Sequence, residues 1–223
     1  VVASRVEALR GAISEVIASQ HLPIPTELIM GLVDLESGGD PTQINPNSGA
    51  MGLTQLMPIA IKDYNQRHKT THSAASVMAS PKLQLEIGVD IYAQYLRKAW
   101  RLLAGKVPFN TRDIVSTALM CYVWGPGNVE LFFKKIESPT WDFIQQNYHD
   151  SKAPKYARVV LSRAAELNPV WNDEALKSWL SATSPGGYTP TVPLISDSNR
   201  KGVVLALALF ALGFWVINDN GKI

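Results

Sequence analysis

The chain has 223 residues, 46% of them apolar and 18% charged, which suffices for one domain with a core plus an appendage and excludes a disordered chain. A net charge of +2 falls short of the concentrated basic face that nucleic-acid binding needs, so no nucleic-acid partner is expected; a slight positive excess suits an anionic polymer. The single cysteine, Cys121, permits no internal disulfide and no Cys/His metal cluster, and its apolar surroundings give it a packing role.

Helical periodicity runs through residues 1–180, so the expected class is all-α (mainly α). Helices are expected at about 3–20, 26–37, 54–66, 81–103, 111–123, 127–137, 140–150, 154–167 and 171–181. The first carries an apolar stripe of Val2, Val6, Leu9, Ile13, Val16 and Ile17. Arg5, Glu7, Arg10 and Glu15 interrupt that segment, so it does not read as a secretion signal.

The second helix is set off by Pro23 and Pro25, has Thr26 as its expected N-cap, and stops at Gly38-Gly39. Glu36 lies three residues after Val33 and seven after Ile29, so it shares their apolar face in the last turn of the helix. Burial and the helix dipole both disfavour its charge there and raise its pKa, as a general acid near neutral pH requires. A solvated Glu in a fraying last turn is the competing reading of that position alone. The helix at 81–103 aligns Leu85, Val89, Tyr92 and Leu96 as core. The four histidines, at positions 21, 68, 72 and 149, form no ligand pattern, so no metal site is expected from them.

Three motifs decide between the readings of Glu36. Glu36-Ser37 is followed by Gly49-Ala50-Met51-Gly52-Leu53-Thr54-Gln55-Leu56-Met57-Pro58, and far downstream by Cys121-Tyr122-Val123-Trp124-Gly125-Pro126-Gly127. In this order and spacing they resemble the Slt-type lytic transglycosylases of the lysozyme-like superfamily. Leu85 to Leu96 is similar to the helix before that family's third motif, and Pro154 to Val160 is similar to its closing segment. The resemblance covers about residues 20–170. It implies a lysozyme-like helical domain with a binding groove, acting on peptidoglycan glycan strands, with Glu36 catalytic. It further implies Ser37, Gln55, Tyr122 and Tyr156 as substrate-binding residues, and no organic cofactor. Val123 and Trp124 stand where the family usually has Asn and Ala, and Thr54 where it has Met. Val123 removes a side-chain hydrogen bond, which keeps open a catalytically weak structural virion protein of the same fold.

Glycosidases generally use two carboxylates. Asp34 lies about 200° around the helix from Glu36, and Asp40 is expected to cap the Pro41 turn. The resemblance implies a one-carboxylate route to a 1,6-anhydro product. A hydrolytic lysozyme is the alternative. Gly49, Gly52, Gly125 and Gly127 are expected in tight turns, and Met51 and Met57 in packing.

Residues 181–200, rich in Ser, Thr, Pro and Gly, read as a linker. Gly202 to Ile217 carries no charge and would span about 24 Å as a helix, slightly short of a hydrocarbon core of about 30 Å. Arg200, Lys201 and Trp215 suit its two interfaces, so residues 201–223 are expected to anchor the chain to a membrane. Delivery by a bacteriophage particle to the host envelope, beside other virion proteins, is the expected setting; a bacterial membrane-bound enzyme is its rival.

Overall fold

The computed structural model describes residues 2–104, 106 and 108–183; the expected apolar segment and all but the first three residues of the expected linker lie outside this range. Among the described residues the fold is helical, with no strand and only isolated bridges of Met51 to Ile44 and Leu56. The helices are α1 (Ser4–Ala8), α2 (Arg10–Ser19), α3 (Thr26–Ser37), α4 (Pro58–His68), α5 (Ala74–Met78), α6 (Pro81–Leu103), α7 (Thr111–Trp124), α8 (Pro126–Phe133), α9 (Trp141–Tyr148), α10 (Lys152–Glu166) and α11 (Asp173–Thr183). None of them is long and apolar enough to cross a membrane.

Helix α6 is the axis of the fold. Its residues 87–93 are buried without a break, so these turns touch protein on all sides. It packs on α7, and α7 and α3 both pack on α10. Trp100, Phe109, Leu28, Leu96 and Leu119 fill the resulting core. Cys121 is buried in it, and burial pushes its thiol up to about 12, which leaves it inert.

Four boundaries differ from expectation. Helix α4 begins at Pro58 rather than near 54, because Pro58 forces Met57 into extended backbone (ψ 146°) and then fits the first helical position. Thr26 opens α3 and Pro25 is its cap residue. Helix α8 starts at Pro126, so Gly127 lies in a helical turn rather than a tight loop. The first helix breaks at Leu9, and the short α5, capped by Ser73, was not expected.

Candidate active site

Glu36 is half-buried in the last turn of α3, on a helix whose Ile29 and Val33 are closed to solvent. Gly38, left-handed at φ 59°, ends the helix one residue beyond Ser37. Burial raises the Glu36 carboxyl above the usual carboxylate range, and a hydrogen bond from the Tyr156 hydroxyl to Oε1 works against that rise. No neighbouring charge is among the causes of the shift.

Tyr156 lies 120 residues further along, on α10, and reaches Glu36 because α10 lies close against α3. Gly31 makes this approach possible. A Cβ there would lie 2.7 Å from the Val160 carbonyl oxygen and 3.1 Å from the Ala164 nitrogen. Tyr156, Val160 and Ala164 are spaced by four residues on one face of α10. The contact at Gly31 therefore sets where Tyr156 meets Glu36.

The two nearest carboxylates in sequence are occupied elsewhere. Asp34 accepts from the Ala3 amide at 2.8 Å and pairs with Arg163 at 2.6 Å. Asp40 accepts from the Thr42 amide at 2.9 Å and the Thr42 hydroxyl at 2.7 Å, and these bonds hold its carboxyl low. Asp40 thus caps its own turn, as expected from sequence.

The opposite side of the site is the segment 38–57, held by side chains from three helices. Ser37 donates to the Leu53 carbonyl at 2.9 Å and accepts from the Gly39 amide at 3.2 Å. Tyr122, on α7, donates to the Thr54 carbonyl at 2.7 Å. Gln84, on α6 and fully buried, accepts from the Leu53 amide at 2.8 Å. Its amide nitrogen donates to the carbonyls of Pro41 at 3.0 Å and Val77 at 3.1 Å. Gly52 leaves room for the Gln84 side chain, which a Cβ would strike. Thr54 packs against Gly88, so its replacement of the family's Met is a packing change.

An open cleft of about 500 Å³ runs along α4 and α6 and is lined by Gln55, Met57, Lys62, Tyr95 and Tyr122. Tyr122 is also near enough to Glu36 for the Glu36 charge, after burial, to raise its hydroxyl. Gln55 adopts a left-handed backbone (φ 49°), and its side-chain amide donates to the Gly52 carbonyl at 3.1 Å.

The structure thus joins Glu36 to Tyr156 and places Gln55 and Tyr122 along the cleft. The Ser37 hydroxyl turns inward, so it holds the wall of the site. Met51 is buried as expected, whereas Met57 is 40% exposed and lines the cleft instead of packing in the core. Trp124 packs against Phe132 with ring centroids 5.8 Å apart. Sequence reasoning missed Gln84 and Gly31. Gln84 heads a spacing of Gln84, Gly88, Ile91 and Tyr95 along α6, and that second stripe was the available signal.

Residues 16–138 match the family described as Transglycosylase SLT domain, and no curated protein matches the chain. The match covers more than half of the sequence and includes Glu36, Ser37, Gln55 and Tyr122, so the chain belongs to that family, whose members are lytic transglycosylases of peptidoglycan.

Proposed function

We propose that this member of the transglycosylase SLT domain family cleaves the β-1,4 bond between N-acetylmuramic acid and N-acetylglucosamine, leaving a 1,6-anhydro end. Glu36 is its single acid/base. The Glu36 carboxyl gives its proton to the glycosidic oxygen as the bond from that oxygen to C1 breaks. The substrate's own N-acetyl oxygen stabilises the positive charge at C1. The Glu36 carboxylate then takes the proton of the C6 hydroxyl, whose oxygen bonds to C1, and the acid is restored. No water is consumed.

The observation that carries this reading is the Glu36 carboxyl, raised by burial, bonded by Tyr156, and with Asp34 and Asp40 tied to other partners. Such a group holds its proton nearer neutral pH than an exposed carboxyl does, and its ionised form keeps one hydrogen bond. Mass analysis of digested peptidoglycan tests it. Anhydro ends support the reading, and products one water heavier assign the hydrolytic alternative. Glu36→Gln should lower cleavage by about a thousandfold, within the range for a general acid/base. Retention of most of the activity counts against Glu36.

The setting is also proposed. The uncharged run Gly202 to Ile217 is suited to tethering the domain to a membrane, so that it opens the wall locally in the host envelope. The Arg200-Lys201 flank favours a cytoplasmic catalytic side, away from the substrate. Arrival from outside in a phage particle, during genome delivery, removes that conflict. Two measurements test it: detergent partitioning of the full chain against a version ending near residue 195, and mass spectrometry of purified virions.

A further inference from the structure

A second cleft, of about 360 Å³, lies on another flank of α4 and α6, closed by the end of α2 and by α11. None of the residues assigned above to the catalytic corner lines it. Its floor is the α6 stripe Glu86, Asp90, Ala93 and Arg97. Tyr64 and Trp179 form its walls. Its volume is within the range of pockets that take small ligands.

The charges in this cleft divide into a settled centre and two open ends. At the centre, Asp90 is neutralised by Arg67 at 2.5 Å and bonded by His68 at 3.1 Å. His68 in turn stacks on Tyr64, with ring centroids 4.2 Å apart. At one end, the half-buried Glu86 carboxylate accepts no hydrogen bond among the described residues, and the Lys82 ammonium that its charge reaches is bonded to Glu15 at 2.7 Å. At the other end, the Arg97 guanidinium lies 4.4 Å over the Trp179 ring and donates through Nε to the Thr183 hydroxyl at 3.1 Å. Asp90 acts on its charge from a distance, but the two terminal nitrogens of Arg97 make no direct ion pair among the described residues, and they form the fork that receives a carboxylate with two parallel bonds.

Glu86 and Arg97 are eleven residues apart, about 16 Å along the helix axis. With the long Glu86 and Arg97 side chains reaching in from the two ends, a peptide whose amine and terminal carboxylate lie about 10 Å apart fits between them. A neutral glycan would satisfy neither charge. A short peptide with a free amine and a free terminal carboxylate satisfies both, and peptidoglycan carries short peptides on its glycan strands.

We propose that this cleft is a second binding site, distinct from the glycan cleft, that holds the peptide stem of peptidoglycan. Arg97 takes the stem's terminal carboxylate, Glu86 its amine, and Tyr64 and Trp179 the apolar side chains. The assignment rests on peptidoglycan as the substrate, but its deciding measurement is binding rather than turnover.

The full chain carrying Glu36→Gln is titrated calorimetrically with a synthetic pentapeptide that has a free side-chain amine at its middle residue and a free C-terminus. The same peptide amidated at its C-terminus and a neutral N-acetylglucosamine tetramer are titrated in parallel. Binding of the free peptide should weaken by about tenfold on amidation, and equally with Arg97→Met, as for loss of one charge-assisted bidentate pair. Cleavage of peptide-free glycan strands by the active chain should be unchanged by Arg97→Met. No binding of the peptide, or equal binding of free and amidated forms, overturns the proposal. So does tetramer binding that Arg97→Met abolishes, which makes the cleft a sugar site. The peptide comparison stands even if the Arg97 variant is unstable.

Discussion

Glu36 stands between two walls built by different means. On one side, α3 lies against α10, and the fit shows at Gly31, whose missing side chain leaves room for the Val160 carbonyl and for Ala164. On the other side, the segment 38–57 has almost no regular structure, and Ser37, Gln84 and Tyr122 hold it through polar bonds. The difference shows where precision comes from in each. Helices dock rigidly because packing is dense and non-directional, so a site on them is sensitive to added volume. A loop is fixed by hydrogen bonds to buried backbone groups, so a site on it is sensitive to lost polar atoms.

The largest expected effect falls on the loop wall. Gln84→Ala removes a side chain that serves Leu53, Pro41 and Val77 at once, leaving buried backbone groups unpaired and a cavity. Its cost should be about 3 kcal/mol, read from chemical denaturation, with cleavage falling because Gln55 and Tyr122 lose their mutual register. A cost near zero would show that the loop holds itself. On the helical wall, Gly31→Ala adds one carbon where the Val160 oxygen would be 2.7 Å away. Overpacking of this kind should cost about 2 kcal/mol and lower the melting temperature by several degrees. It should also displace Tyr156 from Glu36. Unchanged activity at reduced stability would separate the packing of this wall from the chemistry. Ser37→Ala is milder, at about 1 kcal/mol, because it removes one hydroxyl while Gln84 and Tyr122 keep the loop. A loss of activity well beyond that cost would mean that Ser37 touches substrate after all.

The two walls were also unequally legible. The helical wall follows from periodicity: Ile29, Val33 and Glu36 share a face by spacing alone, and the Gly38 stop is a local rule. The motif residues Gln55 and Tyr122 were found by resemblance and do lie together on one cleft. Tyr156 was also read from resemblance, and only the contact of α10 with α3 explains its reach. Gln84 is legible only through the second stripe it heads on α6, because a lone Gln in an amphipathic helix reads as solvent-facing, whereas α6 is enclosed on all sides in its middle turns. Helical spacing alone carries α4 back to about residue 54, but Pro58 disfavours a helical residue before it and Met57 is extended. Hydrogen bonds between a side chain and a distant carbonyl leave no period in a sequence. The bonds of the polar wall therefore have to be seen, whereas the apolar face of α3 can be counted.

The smallest effect tests whether the two walls act on one proton. Burial raises the Glu36 carboxyl, and the Tyr156 hydroxyl opposes this by donating to the ionised form. In the proposed reaction Glu36 starts protonated, so activity should fall as pH rises through its elevated pKa. Tyr156→Phe removes the bond that favours the carboxylate, so that pKa rises further and the alkaline limb of the kcat profile should move to higher pH. Stability follows the same sign. A carboxyl whose folded pKa lies above its unfolded value contributes its full stability below the unfolded pKa and loses it as pH rises through the folded one. Tyr156→Phe should therefore be no less pH-sensitive than the parent on alkaline titration, while Glu36→Gln should lose this dependence. A limb that moves to lower pH in Tyr156→Phe would mean that the hydroxyl favours the protonated acid, and the helical wall would then be holding the proton on Glu36 rather than easing its departure.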